Sequence, residues 1–255
     1  MGTDITIEVL YGEFANLFGE LQNVNYLKDC MPEATVIYTG LYDKPAFTEG
    51  RANLVYMGAM TENQQELAIQ ALKPYKKELE EQIEAGTVFL FTGNAVEIVE
   101  QYIENEDGSR IEGLGIFNTY AKRDMMHRYH SLVFGQYEDI KLVGFKAQFS
   151  HSYGDNSKDY FYDVIRGDGF HPGIKQEGLK RKNFFATYTV GPFLIMNPLF
   201  VKYLMQLLGI KEPVLAYESV IMEAYRQRLE EFEDEKLKYC LLYTSPSPRD
   251  GLLSR

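Results

Sequence analysis

The sequence predicts an α/β protein with three layers, in which helices cover both faces of a mostly parallel sheet. Short apolar strands alternate with longer segments of helical periodicity along the first hundred residues. The strand Val88 to Phe91 (VFLF) is apolar throughout, which is typical of a strand buried on both faces. The 255 residues, 45% of them hydrophobic, are also enough to bury a large continuous core.

The first elements follow from local patterns. Ile5 to Tyr11 (ITIEVLY) is rich in β-forming residues and is followed by Gly12. Ala34 to Tyr38 and Asn53 to Met57 predict the next two strands. Between the first two strands, Phe14 to Leu27 places apolar side chains at helical spacing, which predicts a helix there.

A long helix is predicted from about Glu62 to Glu84, because its apolar residues recur every three or four positions. Pro74 lies inside this segment and predicts a kink or a break. Gly86 fits the residue just past a helix end. The helix therefore leads directly into the apolar strand that begins at Val88.

A turn at Gly93 and Asn94 follows this strand, and the apolar residues after it predict another helix reaching Tyr102. The strands Asn53–Met57 and Val88–Phe91 are both expected among the central strands of the sheet, because their residues are almost all apolar.

The second half of the chain is richer in strands. Tyr129 to Phe134, Ile140 to Phe149 and Phe184 to Val190 alternate or run apolar. Asn197 and Pro198 are typical of a helix start, with Asn as the cap and Pro at the first helical position. No repeat or linker divides the chain, so we expect one domain over residues 1–239.

Charge and motifs exclude several classes of function. The net charge of −11 disfavours both a nucleic-acid-binding face and docking on an anionic membrane. Neither a signal peptide nor a transmembrane segment is recognisable, so we expect a cytoplasmic protein. The four histidines are too few and scattered for a metal site, and no phosphate-binding glycine motif occurs, so we expect neither a metal nor a cofactor.

The end of the chain changes composition abruptly. Cys240 to Asp250 (CLLYTSPSPRD) resembles a translated adapter from a sequencing library, although Ser-Pro repeats also occur in native disordered tails. We therefore expect residues 240–255 to be foreign or disordered, and Leu241 to Arg255 to pack against nothing. Cys30 is then the one native cysteine, a buried and unreactive thiol.

A resemblance to a known family is carried by several stretches between Ile5 and Phe232. The main one is Gly86 to Phe117 (GTVFLFTGNAVEIVEQYIENEDGSRIEGLGIF), and another is Thr187 to Asn197 (TYTVGPFLIMN). Here the chain resembles class I glutamine amidotransferases of the CobB/CobQ-like type, especially the amidotransferase subunits of lipid II isoglutaminyl synthases. The resemblance implies glutamine hydrolysis by a cysteine at a strand-to-helix turn, assisted by a histidine, with ammonia passing to a partner enzyme.

Both catalytic positions have changed in this sequence. The family's cysteine falls on Thr92 or Gly93, and Gly93 gives the better match in the residues that follow. The family's histidine falls on Val190, which carries no titratable group. The resemblance further implies that Gly58, in an altered oxyanion turn, Asn94 and Arg128 are candidate substrate-binding positions, with Arg128 a clamp for the glutamine carboxylate. An exposed arginine at a strand end is the other reading of Arg128.

Three functions remain open on this basis. The chain is a catalytically degenerate amidotransferase-like subunit that partners a ligase of the Mur type in cell-wall or related amidation. Alternatively, it is an active amidotransferase with displaced chemistry, for example at Thr92 with a general base, or a module that binds glutamine as a sensor.

Overall fold

The computed structural model describes residues 5–236 and the backbone of residues 240–242. The strands, in chain order, are β1 Thr6–Leu10, β2 Thr35–Thr39, β3 Leu54–Met57, β4 Val88–Thr92, β5 Tyr102–Glu104, β6 Arg110–Glu112, β7 Thr119–Arg123, β8 Tyr129–Tyr137, β9 Ile140–Gln148, β10 Ser150–Gly154, β11 Tyr162–Arg166, β12 Gln176–Glu177, β13 Leu179–Arg181, β14 Phe184–Thr187 and β15 Cys240–Leu242. The α-helices are α1 Gln22–Cys30, α2 Glu62–Leu72, α3 Lys76–Ala85, α4 Phe193–Met196, α5 Pro198–Leu207 and α6 Glu218–Glu233. Short 3-10 helices lie at Leu17–Gly19, Ala46–Glu49, Lys73–Tyr75 and Gly93–Val99.

The main sheet has six strands in the order β13-β14-β4-β3-β1-β2. All neighbouring strands are parallel except β13 and β14. β3 and β4 occupy the centre, and every residue in both strands is buried. The prediction of a mostly parallel sheet with these two strands inside it is confirmed.

Alternate side chains of the central strands pack into the helix layers on opposite faces of the sheet. Val55 and Met57 of β3 pack with α2 and α3, whereas Leu54 and Tyr56 pack with α1 and α5. Successive side chains of a strand point to opposite faces, so one apolar strand serves both layers. The sheet is therefore covered by helices on both sides, as the sequence predicts.

Two further groups of strands lie beside the main sheet. One has the order β10-β7-β5-β6, and in the other β8 pairs with β9, β11 and β15. The strand expected over Phe184–Val190 ends earlier, at Thr187. Val190 instead forms a single bridge to Phe145 of β9, where its N–H donates to the Phe145 carbonyl at 3.0 Å. This bridge brings β9 next to the carboxyl end of β14.

Stacked rings cross the smaller of these sheets. Tyr102, Tyr120 and Tyr153 lie on the neighbouring strands β5, β7 and β10, with ring centroids 4.9 and 6.0 Å apart. His171 stacks on Tyr153 at 4.7 Å, and the Arg110 guanidinium lies 4.1 Å from the centre of the Tyr102 ring. We call these five side chains the aromatic ladder. Such cross-strand contacts stabilise a sheet whose strands are short.

The helix predicted over Phe14–Leu27 is wrong for its first half. α1 begins only at Gln22, and Phe18 has a left-handed backbone conformation with φ 62°. The Leu17 N–H donates to the Ala59 carbonyl at 3.0 Å, a partner distant in sequence. Because this bond satisfies the backbone outside a helix, the segment crosses the carboxyl end of the sheet as a loop.

The helix predicted after Gly93 is also wrong. A 3-10 helix ends at Val99, and Tyr102 lies in β5. The carbonyls of Ile98 and Val99 accept hydrogen bonds from the N–H groups of Leu114 and Ile116 at 2.8 and 2.9 Å. These long-range partners replace the bonds that an α-helix would have made, and β-branched residues do not favour the helix enough to compete.

Other helix boundaries agree with the sequence. The long helix breaks at Pro74, and Gly86 ends it with φ 89°. A helix begins at Pro198 as predicted, but the Asn197 side chain does not cap it. That amide instead accepts from the Val143 N–H and donates to its carbonyl, both at 2.8 Å, and so ties the helix start to β9.

The expectation that Leu241 to Arg255 pack against nothing needs a correction. Cys240, Leu241 and Leu242 pair antiparallel with Ser131, His130 and Tyr129 of β8. The expectation that Leu241 and Leu242 pack against nothing is therefore wrong, because their backbone forms a short antiparallel strand along β8. Residues 1–4, 237–239 and 243–255 lie outside the described residues, so the expectation for the rest of the tail stays a prediction.

Candidate functional site

The turn after β4 forms a sharp elbow. Thr92 ends the strand in extended conformation, and Gly93 turns the chain with φ 63° into the 3-10 helix. Glycine takes such a conformation without the steric cost that other residues meet. A strand–turn–helix elbow presents its apex residue at the edge of the sheet, and this is where α/β-hydrolases place a nucleophile.

The space in front of the elbow is filled. A Cβ atom on Gly93 would lie 2.5 Å from the Ala59 Cβ and 3.3 Å from a Val190 methyl group, Cγ1. The structure thus brings Gly93 and Val190 together, the two positions that the resemblance assigns to nucleophile and base. Ala59 follows Gly58 in the altered turn, and sequence reasoning missed its contact with Gly93.

Thr92 lies on the other side of the strand. Its hydroxyl is fully buried, donates to the Glu20 carboxylate and lies 3.0 Å from the Tyr56 hydroxyl. The side chain therefore points into the layer that contains α1 and has no access to the elbow cleft. This geometry favours Gly93 over Thr92 as the counterpart of the family's cysteine.

Glu20 is a buried carboxylate that sequence reasoning did not single out. Its two oxygens accept hydrogen bonds from Thr92, from Tyr56 at 3.3 Å and from the Gly191 N–H at 3.0 Å. Burial raises the pKa of Glu20, and these donors oppose that shift. Glu20 thus fastens the loop before α1 to the elbow and to the segment that carries Val190. The only sequence signal was an acidic residue next to an apolar run.

A cavity of about 190 Å³ lies beside the elbow. Its lining residues are Leu17, Phe18, Ala59, Met60, Thr61, Glu62, Gly93, Asn94, Arg128, Ala147, Gln148, Phe149, Ser150 and Tyr188. Three of the sequence-predicted positions, Gly93, Asn94 and Arg128, therefore meet at one cavity. Gly58 is not in the lining, because it lies under the loop, where a Cβ would come within 2.5 Å of the Ala15 carbonyl oxygen.

The Asn94 side chain is engaged within the protein. It accepts from the Met60 N–H at 3.0 Å and donates to the Met60 carbonyl at 2.8 Å. Both halves of the amide are thus used to hold the turn that contains Ala59. Asn94 thus forms part of the cavity wall, and its role as a substrate-binding position stays a prediction.

Arg128 lies between two aromatic rings. Its guanidinium carbon is 5.8 Å from the centre of the Phe18 ring and 5.3 Å from that of Phe149. Among the described residues, neither the buried Arg128 Nε nor the buried Gln148 Oε1 has a hydrogen-bond partner. Two residues of the cavity lining therefore each hold one buried polar atom that the described protein groups leave unsatisfied.

The hydroxyls of Ser150 and Tyr188 in the cavity wall are bound to a buried acid. Both donate to Glu97 Oε1, Tyr188 at 3.1 Å, and Gln65 donates to the other oxygen at 2.9 Å. Burial raises the pKa of Glu97, and these donors oppose the shift. Ser150 and Tyr188 therefore line the cavity, but both of their hydroxyls donate to Glu97 and not into the cavity.

Cys30 and His151 are poorly placed for the family's chemistry. Cys30 ends α1, and its sulfur accepts from the Ala216 N–H at 3.3 Å. His151 lies behind the cavity wall, 3.3 Å from the Gln148 amide nitrogen, and burial lowers the pKa of its ring to about 4. Among the residues the structure describes, no three His, Cys, Asp or Glu side chains form a metal-binding group, and no helix has the length and apolar character to span a bilayer.

The fold and the site together define the class of protein. A parallel sheet with helices on both faces, an elbow after its central strand β4 and a facing residue after the adjacent strand β14 agree with what the resemblance to class I glutamine amidotransferases implies. Residues 6–198 match the model of the CobB/CobQ-like glutamine amidotransferase domain. The chain belongs to this family.

Individual relatives agree with this assignment. The chain is 25% identical over 245 residues to the GatD subunit of the glutamine-hydrolysing lipid II isoglutaminyl synthase of Streptococcus pneumoniae, covering 92% of each chain. It is 24% identical to the corresponding subunit of Staphylococcus aureus, over 80% of this chain and 84% of that one. A glutamine amidotransferase from Thermotoga maritima has a similar fold, with a TM-score of 0.50 at 11% identity, covering 92% of this chain and 87% of the other.

Proposed function

We propose that this chain is the amidotransferase-like subunit of a ligase of the Mur type and that it does not hydrolyse glutamine itself. The assignment as a subunit is supported by the two relatives, both of which are subunits of lipid II isoglutaminyl synthases. The loss of hydrolysis is supported by the elbow, where glycine stands at the apex and valine faces it.

The single observation that carries the proposal is the contact set around Gly93. Acyl transfer needs a nucleophile with a base within hydrogen-bond reach, and here the apex has no side chain. The nearest groups are the methyl groups of Ala59 and Val190, which neither donate nor accept protons. Even an elbow whose backbone amides bind an oxyanion keeps only residual catalysis without a nucleophile and base, as in comparable systems.

The direct test is an ammonia assay on the purified full-length chain with glutamine. We expect no ammonia release above that of a buffer control, because no group at the elbow forms a covalent intermediate. Robust release by the unmodified protein contradicts the proposal. In that case Ser150→Ala is the first variant to measure, since Ser150 is a cavity hydroxyl bonded to a carboxylate.

Association with a ligase is tested separately. Where a Mur-ligase-like reading frame lies beside the gene, we expect co-expression to give a heterodimer that survives size-exclusion chromatography. Hydrolysis by the isolated chain and assembly with a partner are independent readouts. Elution of the two proteins as separate monomers contradicts the role as a subunit.

A second candidate function, glutamine binding without hydrolysis, is favoured by the unpartnered Arg128 Nε and Gln148 Oε1. A cavity of about 190 Å³ has room for a small ligand, since one liquid water takes about 30 Å³. An α-carboxylate beside Arg128 and an α-ammonium beside Gln148 would satisfy both groups.

Titration calorimetry with glutamine tests this candidate. If the cavity binds glutamine, we expect Arg128→Ala to weaken binding by roughly tenfold or more, because a charge-assisted hydrogen bond is lost. Arg110→Ala is the matched control, since Arg110 lies on the aromatic ladder, outside the cavity. Absence of heat with the unmodified chain rejects the sensor function.

A further inference from the structure

The turn that contains Ala59 is held rigidly against the elbow. The Ala59 carbonyl accepts from the Leu17 N–H at 3.0 Å, and both backbone groups of Met60 are bound by the Asn94 amide. Gly58 lies under the Ala15 carbonyl, where a Cβ would come within 2.5 Å. The turn is thus fixed on both sides of Ala59.

The Ala59 methyl group occupies the space that a side chain at position 93 would need. A Cβ on Gly93 would lie 2.5 Å from the Ala59 Cβ, far inside van der Waals contact. This methyl group is bonded directly to the backbone, so it has no rotamer that removes it. Ala59 is 2% exposed, and the contact is therefore not relieved toward solvent.

With glycine in place of Ala59, a Cβ atom at position 93 has room. The next atom from the Gly93 Cβ position is the Ala59 Cα, at 3.2 Å, and Val190 Cγ1 follows at 3.3 Å. A shift of a few tenths of an ångström accommodates contacts of that length, whereas 2.5 Å requires the turn itself to move.

We propose that Ala59 closes the elbow, so that residues 59 and 93 form one packing unit in which only one of the two carries a Cβ. This inference rests on the proposed function and deepens it: the elbow is sterically closed as well as lacking a nucleophile. It follows that the Gly93→Cys and Val190→His pair does not restore a working geometry unless Ala59→Gly accompanies it.

Moving one methyl group between the two residues tests the proposal. The variants are Gly93→Ala, Ala59→Gly and the double variant Ala59→Gly/Gly93→Ala, with thermal unfolding as the readout. The matched control is Gly50→Ala, because Gly50 has nearly the same backbone angle, φ 65° against 63°, and nothing within 4 Å of its Cβ position. The control measures the cost of a positive φ without crowding.

We expect the melting temperature of Gly93→Ala to lie roughly 5 °C or more below that of Gly50→Ala, because only position 93 is crowded. The double variant should recover most of that difference. Equal losses for Gly93→Ala and Gly50→Ala overturn the proposal, as does a double variant no more stable than Gly93→Ala. Because the readout is stability, this outcome is independent of whether the unmodified chain releases ammonia.

If Gly93→Ala does not fold while Gly50→Ala and the double variant do, the crowding at position 93 is shown directly. A thiol at the apex gives a second readout, on variants that circular dichroism shows to be folded. Iodoacetamide labelling of Gly93→Cys and of Ala59→Gly/Gly93→Cys is followed by peptide mass spectrometry, which separates residue 93 from the other cysteines. We expect labelling at position 93 to be roughly tenfold faster in the double variant, since the opened elbow exposes the thiol to turn amides that favour the thiolate. Equal rates in the two backgrounds contradict the closure by Ala59.

Discussion

At the scale of single residues, three buried carboxylates surround the elbow and the segment that follows it. Glu20 and Glu97 each accept several hydrogen bonds, so their burial is compensated. Glu100 differs, because neither of its carboxyl oxygens has a hydrogen-bond partner among the described residues. Burial raises the pKa of Glu100 to about 8, with the Glu97 charge adding to the shift and the nearby hydroxyls of Thr119 and Ser152 opposing it.

This shift predicts a pH-dependent stability. Below pH 4.5 Glu100 is protonated in both the folded and the unfolded chain, and its contribution to stability is fully present. Between pH 4.5 and about 8 only the unfolded chain loses the proton, so the free energy of unfolding falls as pH rises. Glu100→Gln, which carries no titratable group, should flatten the profile by on the order of 3 kcal/mol across this window.

Urea unfolding of the unmodified chain and of Glu100→Gln at pH 5, 6.5 and 8 measures this effect. The free energy of unfolding should depend less steeply on pH in the variant than in the unmodified chain. The two proteins should have the same circular dichroism spectrum, which shows that the fold is kept. Glu20 and Glu97 have pKa values raised in the same direction, so some decline should persist in the variant. Parallel profiles for the two proteins show that Glu100 does not titrate in this range.

At the scale of elements, the smaller sheet depends on contacts between its side chains. β5 and β6 have only three residues each, so few backbone hydrogen bonds hold them. The aromatic ladder supplies stacking across β5, β7 and β10, with Tyr120 in its middle. Tyr120 contacts a ring on each side, so its loss separates Tyr102 from Tyr153.

We expect Tyr120→Ala to lower the free energy of unfolding by roughly 1–3 kcal/mol, because two cross-strand ring contacts and their buried area are lost. Tyr42→Ala is the control, since Tyr42 is 97% exposed and should change stability by less than about 0.5 kcal/mol. A double-mutant cycle with Tyr102→Ala should show positive coupling. If the losses of stability in the two single variants simply add in the double variant, the two rings do not stabilise each other.

At the scale of the whole molecule, the three residues that meet at the elbow come from elements distant in the chain. Gly93 follows β4, Val190 follows β14, and Ala59 follows β3, all at the carboxyl end of adjacent parallel strands. Ligand sites of open α/β sheets occur at this end. The cavity lies between this edge and β9, which Val190 reaches through its bridge to Phe145.

The end of the chain gives a prediction at the same scale. Deleting residues 240–255 should lower the melting temperature by a few degrees at most, because β15 is a three-residue strand on one edge of β8. β9 pairs with β8 over its whole length on the other edge and remains after the deletion. A second variant that ends at Leu242 separates the strand pairing from everything beyond it. A large drop for the shorter variant shows that the pairing is essential to the fold.

Local sequence patterns determined much of this protein. Local sequence encodes the central strands, which are apolar because both of their faces are buried. It also encodes the break at Pro74 and the turn at Gly86, because propensity and periodicity act over a few residues. The absence of a cysteine at the elbow and of a histidine at position 190 is likewise legible from the sequence.

Only the tertiary structure decided how the elbow is built. Residues 14–21 have helical spacing but form a loop with one short 3-10 turn, and residues 93–99 form a 3-10 helix. The backbone groups of Leu17, Ile98 and Val99 bond to partners far along the chain instead of continuing an α-helix. The choice between Thr92 and Gly93 depended on which face of β4 each residue occupies, and the closure by Ala59 depended on a turn more than thirty residues earlier in the sequence. Such contacts are set by the packing of separate elements, and no local pattern records them.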